Sequence, residues 1–294
     1  MSRRGVLLFA AMSIVWGIPY LFIRIAVLQM PPGVLVFGRS LLAALILLPL
    51  AMHRPGLLPV LRRWRPLLAF SVIEIALPWY FISNAEQVVT SSLAGLLISS
   101  VPLAATLIAI GLGDREGARP AALAGLALGS AGVVGIVGLD IRGSSLVAVA
   151  ELLATAVCYA IGPVILARGL RDLPSAGVMG ASLGLCALAY LPVAVLQWPQ
   201  TLPSAAALGS VVVLAVLCTA VAFVVFSALI SEIGPVRATV ITYVNPAVAA
   251  AVGASVLHEK FTFGMGAGFV LVLTGSVLAT RRARARNTAV AEAH

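Results

Sequence analysis

The stretches SSLAGLLISSVPLAATL (91–107) and PVRATVITYVNPAVAAA (235–251) share one grammar: small and apolar residues, two polar residues near the middle, then a proline. Pro102 and Pro246 stand 144 positions apart. Other pairs keep nearly the same interval: Glu116 and Glu259, Gly125 and Gly268, and Gly132 and Gly275 are each separated by 143. A weaker echo links VWGIPYLFIR (15–24) to VCYAIGPVILAR (157–168). The chain reads as a duplication that places a helix-breaking residue inside the same segment twice.

Composition says what solvent those segments face. Of the 294 residues, 61% are hydrophobic and 10% charged, against about 45–50% and 25% in soluble domains. Mean hydropathy is +1.11. A soluble fold could not hide so much apolar surface, so lipid surrounds most of this chain. The net charge of +9 then marks basic loops on the cytoplasmic side rather than nucleic-acid binding. Cys158, Cys186 and Cys218 lie inside apolar runs without a CxxC spacing, so neither a disulfide framework nor a metal site is indicated. The N-terminal MSRRGVLLFAAM begins like a signal sequence, but its apolar run continues to about Val27, long enough for a retained first helix.

A membrane span needs roughly 20 mostly apolar residues. Proline, glycine and charge clusters divide the chain into ten such runs: 5–27, 33–52, 67–84, 88–112, 119–138, 145–167, 175–196, 206–230, 236–257 and 262–280. The cut near Asn84–Gln87 has the weakest signal. The runs are continuously apolar, which excludes the alternation of a β-barrel. With the N-terminus inside, fourteen arginines fall on the cytoplasmic side, and only Arg142 and Lys260 fall outside, so both termini are predicted to be cytoplasmic. The expected fold is an all-α polytopic membrane protein. A first five-helix repeat covers 5–138, a second covers 145–280, and a basic tail covers 281–294. Five is odd, so the second repeat enters the bilayer from the opposite side. Inverted repeats of this kind are the mark of many alternating-access transporters.

The ordered set of motifs resembles the EamA family of the drug/metabolite transporter superfamily. It comprises Arg39 within VLVFGRSLLAALILL, SSLAGLLISSVPL, the acidic turn GDREG, PVRATVITYVNPAVAAAV, and HEKFTFGMGAGFVLVLTGSVLA. The resemblance covers almost the whole chain. It implies export of small metabolites, often amino acids, from the cytoplasmic membrane of a bacterium through a central cavity between the repeats. It also implies that spans one, three, four, six, eight and nine line that cavity, while spans five and ten serve as scaffold. Symmetry fails at Arg39, which has no basic counterpart in MGASLGLCA, and at Glu151, which has no acidic counterpart in span one.

An ionisable residue inside the bilayer is a functional candidate by default. Glu74 lies roughly 12 Å into span three, and Glu151 roughly 9 Å inside span six, at about 1.5 Å per residue. Either carboxylate could hold a substrate ammonium or a coupling proton. Arg39, at similar depth, reads as a structural charge paired with one of them. Arg24 and Arg237 lie near span ends, where they can snorkel. Trp64 and Trp198 read as interfacial belt residues. Trp16, Tyr20, Trp79, Tyr80, Tyr159 and Tyr243 do not fit a belt and are candidate walls of the cavity. Ser83, Asn84, Ser99, Ser100 and Asn245 supply its few polar groups, as small-molecule sites require. Pro78, Pro102, Pro163 and Pro246 are candidate kinks or gates. Pro102 would free the Ile98 carbonyl and Pro246 that of Thr242. Ala121, Gly125, Gly129 and Gly132, with Gly264, Gly268 and Gly275, form small-residue faces suited to close helix packing, within the scaffold or between copies.

GASLG (180–184) spells a nucleophile elbow, but it sits inside an apolar run, and His53, His258 and His294 lie in loops or at the terminus, so no enzyme is expected. Without HExxH, a P-loop or GxGxxG in context, no cofactor and no ATP coupling are expected. The leading reading is a monomeric secondary exporter of small metabolites, most readily amino acids, driven by proton exchange or by the substrate gradient alone. The competing readings are a flippase for lipid-linked groups, a multidrug carrier of the same fold, and a channel without alternating access.

Overall fold

The computed structural model describes residues 2–52, 57–113, 119–137, 145–234, 238 and 240–280. Among them every regular element is helical. Among the described residues nine helices are long and apolar enough to cross a membrane: α1 (Arg3–Val27), α2 (Pro32–Met52), α3 (Trp64–Ala85), α4 (Ser91–Gly111), α5 (Pro120–Val137), α6 (Leu146–Gly169), α7 (Ser175–Leu196), α8 (Ala205–Ile233) and α10 (Phe263–Thr280). The remaining run, α9 (Ile241–Val256), is apolar but shorter. The ten predicted runs and these ten helices coincide to within a few residues. The weak cut falls just after Asn84, where Thr90 Oγ1 accepts from the Leu93 amide at 3.2 Å and caps α4. Arg54, Arg115, Glu116, Arg142, Arg237 and the basic tail 281–294 lie outside the described residues.

The packing is two-fold. α5 lies along α10, α2 along α7 and α4 along α9, each helix meeting its own counterpart. α3 packs on α6 and α1 on α8; α4 meets α6 and α9 meets α1; α2 meets α8 and α7 meets α3. Replacing each helix in these pairs by the one five places further on returns the same pairs. With an odd number of helices in each half, the second half threads the layer in the opposite sense.

In lipid, helices associate through close packing rather than through the hydrophobic effect, and small residues permit it. A Cβ at Gly125 would stand 2.6 Å from the Gly275 carbonyl oxygen, and one at Gly132 2.6 Å from that of Gly268. Here α5 and α10 meet backbone to backbone, so these glycine faces are used within the chain. Gly129 instead receives Leu103 of α4. Leu45, Leu50, Val134, Leu188, Val195 and Val270 are exposed around the outside, where acyl chains would cover them. Trp64 and Trp198 are exposed at the ends of α3 and α7.

Four irregularities interrupt the helices. α1 opens at Trp16–Ile18, just before Pro19, and α4 opens at Ser99–Ser100, just before Pro102. By contrast, α6 runs unbroken through Pro163 and α9 through Pro246. The expectation that Pro102 and Pro246 shape their helices alike therefore changes, and the neighbouring side chains explain why. The Ser99 and Ser100 hydroxyls donate one turn back, to the Leu96 and Leu97 carbonyls at 2.5 and 2.6 Å, and tighten the turn. In α9 the Asn245 amide instead donates to the Ile241 carbonyl four residues back, at 2.9 Å, which suits a continuing α-helix. The other two irregularities are π-helical segments, Ser71–Ala76 in α3 and Val216–Val221 in α8. They begin 145 residues apart, at equivalent places in the two halves. Such wide turns are rare and gather at functional sites.

Candidate functional site

Both π-helical segments adjoin the same central region. The Thr219 hydroxyl, in the second segment, donates to the Leu214 carbonyl at 2.8 Å and accepts from Arg39 Nε at 3.2 Å. The Arg39 guanidinium carbon lies 3.6 Å above the centre of the Trp79 ring, a cation–π arrangement. Arg39 is only 8% exposed. Among the described residues no carboxylate lies within ion-pair distance of it. The predicted pairing of Arg39 with Glu74 or Glu151 is not what the structure shows. Tyr20, Tyr159, Cys186 and Cys218 are the groups within electrostatic reach of the guanidinium.

Glu74 occupies the first π-helical segment. Its carboxylate presses against Gly162 of α6, where a Cβ would collide with Oε2. That oxygen is buried without a hydrogen-bond partner. Tyr159, one turn before Gly162, lies beside the Trp79 indole and within reach of both Glu74 and Arg39. Tyr190 of α7 closes the far side: its hydroxyl donates to the Ala76 carbonyl at 3.0 Å, and its ring stacks on Tyr80 at 6.0 Å.

The structure thus gathers Arg39, Glu74, Trp79, Tyr20 and Tyr159 and stacks Tyr80 behind them. Ser83 is buried on α3 near Asn84, whose amide donates to Glu151 Oε1 at 2.8 Å. Two other candidates stand apart. Trp16 packs on Phe226 with ring centres 4.6 Å apart, and the Tyr243 hydroxyl lies 3.4 Å from Thr280 Oγ1 on α10. Asn245 bonds the Ser13 carbonyl of α1 at 3.2 Å, beside the break in that helix. The Ser99 and Ser100 hydroxyls donate to their own helix, as described above. Ser182, within GASLG, is fully buried in mid-α7, and its carbonyl accepts from Ser71 at 2.9 Å.

Polar clusters close both ends of the bundle. At one end Glu259, just past α9, reaches the first turn of α4. Its Oε1 accepts from the Ser91 amide at 2.8 Å and hydroxyl at 3.0 Å, and its Oε2 from the Ser92 amide at 2.9 Å and hydroxyl at 2.5 Å. Gly253 has no room for a side chain against these groups. Beside them Glu86 is fully buried, with neither carboxylate oxygen hydrogen-bonded. Its carbonyl accepts from the Arg24 guanidinium. Burial, and secondarily the neighbouring Glu259, hold the Glu86 carboxyl well above the usual carboxylate range, with Arg24 acting against them. Tyr20 lies within reach of both Glu86 and Arg39 and so connects this end to the centre. At the opposite end Arg63 forks onto Asp172 with two bonds of 2.7 Å and donates to the Gly169 carbonyl at 2.9 Å. The Arg63 guanidinium holds the exposed Asp172 carboxyl below its ordinary range. Ser2 donates to Glu232 at 2.5 Å, with Arg4 at 3.9 Å.

Sequence reading used Glu259 only as a marker of the repeat and passed over Glu86, because each sits at the end of an apolar run, where a carboxylate is commonly solvated. Thr219 was hidden because a lone threonine in VLCTAV gives no signal. The polar end of ALPWYFISNAEQ (76–87), so close to a weak cut, was the one local sign that Glu86 lies inside the bundle.

Known proteins share this architecture. The chain is 29% identical over 257 residues to the uncharacterized inner membrane transporter YedA of Escherichia coli, covering 86% of this chain and 82% of that one. It is 23% identical to the uncharacterized transporter YvbV of Bacillus subtilis, covering 98% and 95%. A solved crystal structure superposes with a TM-score of 0.67 at 21% identity, covering 94% of this chain and 96% of the other, and so shares the fold. The EamA-like transporter family model matches residues 3–138 and again 146–281, once for each half of the two-fold packing, and the chain belongs to that family.

Proposed function

We propose that this member of the family is a secondary exporter of small metabolites, amino acids foremost, working by alternating access. The observation that carries the reading is the paired construction of the bundle. A buried polar centre at the two π-helical segments lies between two polar closures, one built on Glu86 and Glu259, the other on Arg63, Asp172 and Glu232. The halves 5–138 and 145–280 rock against each other, breaking one closure while the other holds. The aromatic and polar wall of Tyr20, Glu74, Trp79, Tyr80, Ser83, Asn84, Glu151 and Tyr159 receives the substrate. The Glu86 end faces outward, both termini are cytoplasmic, and the membrane is the inner one, as in the name of the Escherichia coli relative. The protein acts as a monomer and as a carrier rather than an enzyme.

The test is exchange in liposomes preloaded with unlabelled amino acids. Saturable uptake of labelled amino acids that depends on the internal pool is expected; its absence for all of them overturns the substrate class. An imposed pH gradient separates the two driving modes. A rate that follows the gradient, and ceases to in Glu74→Gln or Glu151→Gln, identifies proton exchange; an indifferent rate identifies facilitated efflux.

One observation favours a second reading, a carrier for lipid-linked groups or lipophilic drugs. Ile108, Leu112, Ile161, Val164, Ile165 and Arg168 line a groove of about 260 Å³ between α4 and α6, apolar except for one cation. Exchange of a labelled lipid-linked sugar or lipophilic cation in the same liposomes, with no amino-acid exchange, would establish it.

A further inference from the structure

We propose that Arg39 and Glu74 are the two poles of one zwitterion site, the guanidinium taking the carboxylate of an α-amino acid and Glu74 taking its ammonium. The inference rests on the amino-acid reading above and assigns that substrate its contacts. Arg39 is buried and Glu74 half-buried with its Oε2 enclosed, both in one region, and among the described residues neither meets an opposite charge. A buried charge without a partner is costly, and a molecule that brings both missing partners at once relieves both costs.

The geometry fits an amino-acid head group. Arg39 Nε is already engaged by Thr219 at 3.2 Å, and Trp79 covers one face of the guanidinium. What remains is the end of the fork formed by the two Nη groups, which matches a carboxylate through two parallel bonds. Glu74 Oε2 is buried and unbonded, and it is packed so closely against Gly162 that not even a methyl fits on that side, so an ammonium reaches the carboxylate from the side away from α6. Glu74 and Trp79 are five residues apart on α3, about 7 Å along the axis at roughly 1.5 Å per residue. The amino nitrogen and carboxyl carbon of an α-amino acid are about 2.5 Å apart, from standard backbone dimensions. Adding a hydrogen bond of about 2.8 Å at each end gives about 8 Å as the span such a head group bridges, of the order of the backbone rise between Glu74 and the Trp79 that holds Arg39. Tyr159, in reach of both poles, carries a hydroxyl that can donate or accept at either end.

The placement also explains two asymmetries between the halves. The residue equivalent to Glu74 in the second π-helical segment is Thr219, and Thr219 orients Arg39 instead of carrying charge. Both charges belong to the first half, and the second half supplies the neutral Thr219 that orients Arg39, so the two-fold scaffold presents an anion and a cation together, as a zwitterion requires and as a symmetric site could not.

The test uses the full chain in liposomes, with a labelled mixture of the twenty common L-amino acids as probe. Exchange is competed by the carboxamides and by the N-acetyl derivatives of those that exchange. The wild type is expected to bind each blocked analogue at least tenfold more weakly than the parent. Arg39→Gln should weaken the parent and erase the penalty on the carboxamide alone; Glu74→Gln should do so for the N-acetyl form alone. Equal competition by parent and blocked analogues in the wild type overturns the proposal even if neither variant folds. Equal loss for all three ligands in both variants, with folding intact by circular dichroism, also overturns it and returns the pair to a packing role. If no amino acid exchanges at all, the functional reading itself fails, which is a separate outcome.

Discussion

Glu259 holds Ser92 by both of its polar groups, the amide at 2.9 Å and the hydroxyl at 2.5 Å, and so ties the end of α9 to the start of α4. A carboxylate at a helix N-terminus satisfies orphan amides and meets the positive end of the helix dipole. Loss of a cap costs about 0.5–2 kcal/mol. Glu259→Ala is therefore expected to speed hydrogen exchange at the amides of Ser91, Ser92 and Leu93 by about tenfold while leaving α5 and α10 protected. Hydrogen exchange with mass spectrometry measures this directly.

The same closure carries a pH dependence whose sign follows from burial. Glu86 is held above its ordinary range, so the closed form keeps its proton where a solvated carboxylate has lost it. The stability this contributes is present at low pH and lost as pH rises through the raised value. There Glu86 becomes charged beside Glu259, and Arg24 offsets only part of the cost. Exchange at the start of α4, corrected for intrinsic amide rates, should rise with pH in the wild type. In Glu86→Gln it should stay slow and flat.

Backbone contact between α5 and α10 leaves no space for side chains. At Gly275 a Cβ would stand 2.5 Å from the Gly125 carbonyl oxygen and 2.7 Å from Gly129 Cα. Overpacking of this kind costs typically about 1–3 kcal/mol. Gly275→Val is expected to lower the melting temperature in detergent, while the KM of whatever folded protein remains stays unchanged, because this seam is remote from the polar centre.

Gly162→Ala probes the centre from the opposite direction. The added methyl would collide with Glu74 Oε2 and stand 2.8 Å from its Cδ, so the carboxylate must turn away. A flexible side chain can move, and stability should change little. Substrate affinity in equilibrium binding should fall about tenfold, equivalent to about 1.4 kcal/mol.

How much of this was legible in the chain depends on whether a feature is local. Ten apolar runs, the duplication and the glycine seam follow from composition and spacing, because lipid imposes length and apolarity on every crossing helix. Asn84 and Glu151, chosen separately as polar intruders, turn out to bond each other. The π-helical segments were not legible: SVIEIA and VLCTAV contain neither glycine nor proline, and their wide turns are met by distant groups, such as the Tyr190 hydroxyl on the Ala76 carbonyl. The partner of Arg39 was also misread, since pairing by charge pointed to a carboxylate where the fold supplies Trp79 and Thr219. Tyr243 shows the same limit, because periodicity could not say which side of α9 faces α10.

The central claim is that one polar centre opens alternately to the two ends of the bundle. It is tested most directly by locking one end. With Ser92→Cys and Glu259→Cys introduced together and a short bifunctional thiol reagent joining them, α4 and α9 cannot separate. Exchange in liposomes should fall to background when the link is made and recover when a cleavable link is cut, with each single variant unaffected by the reagent. Full exchange through the linked protein would contradict the account.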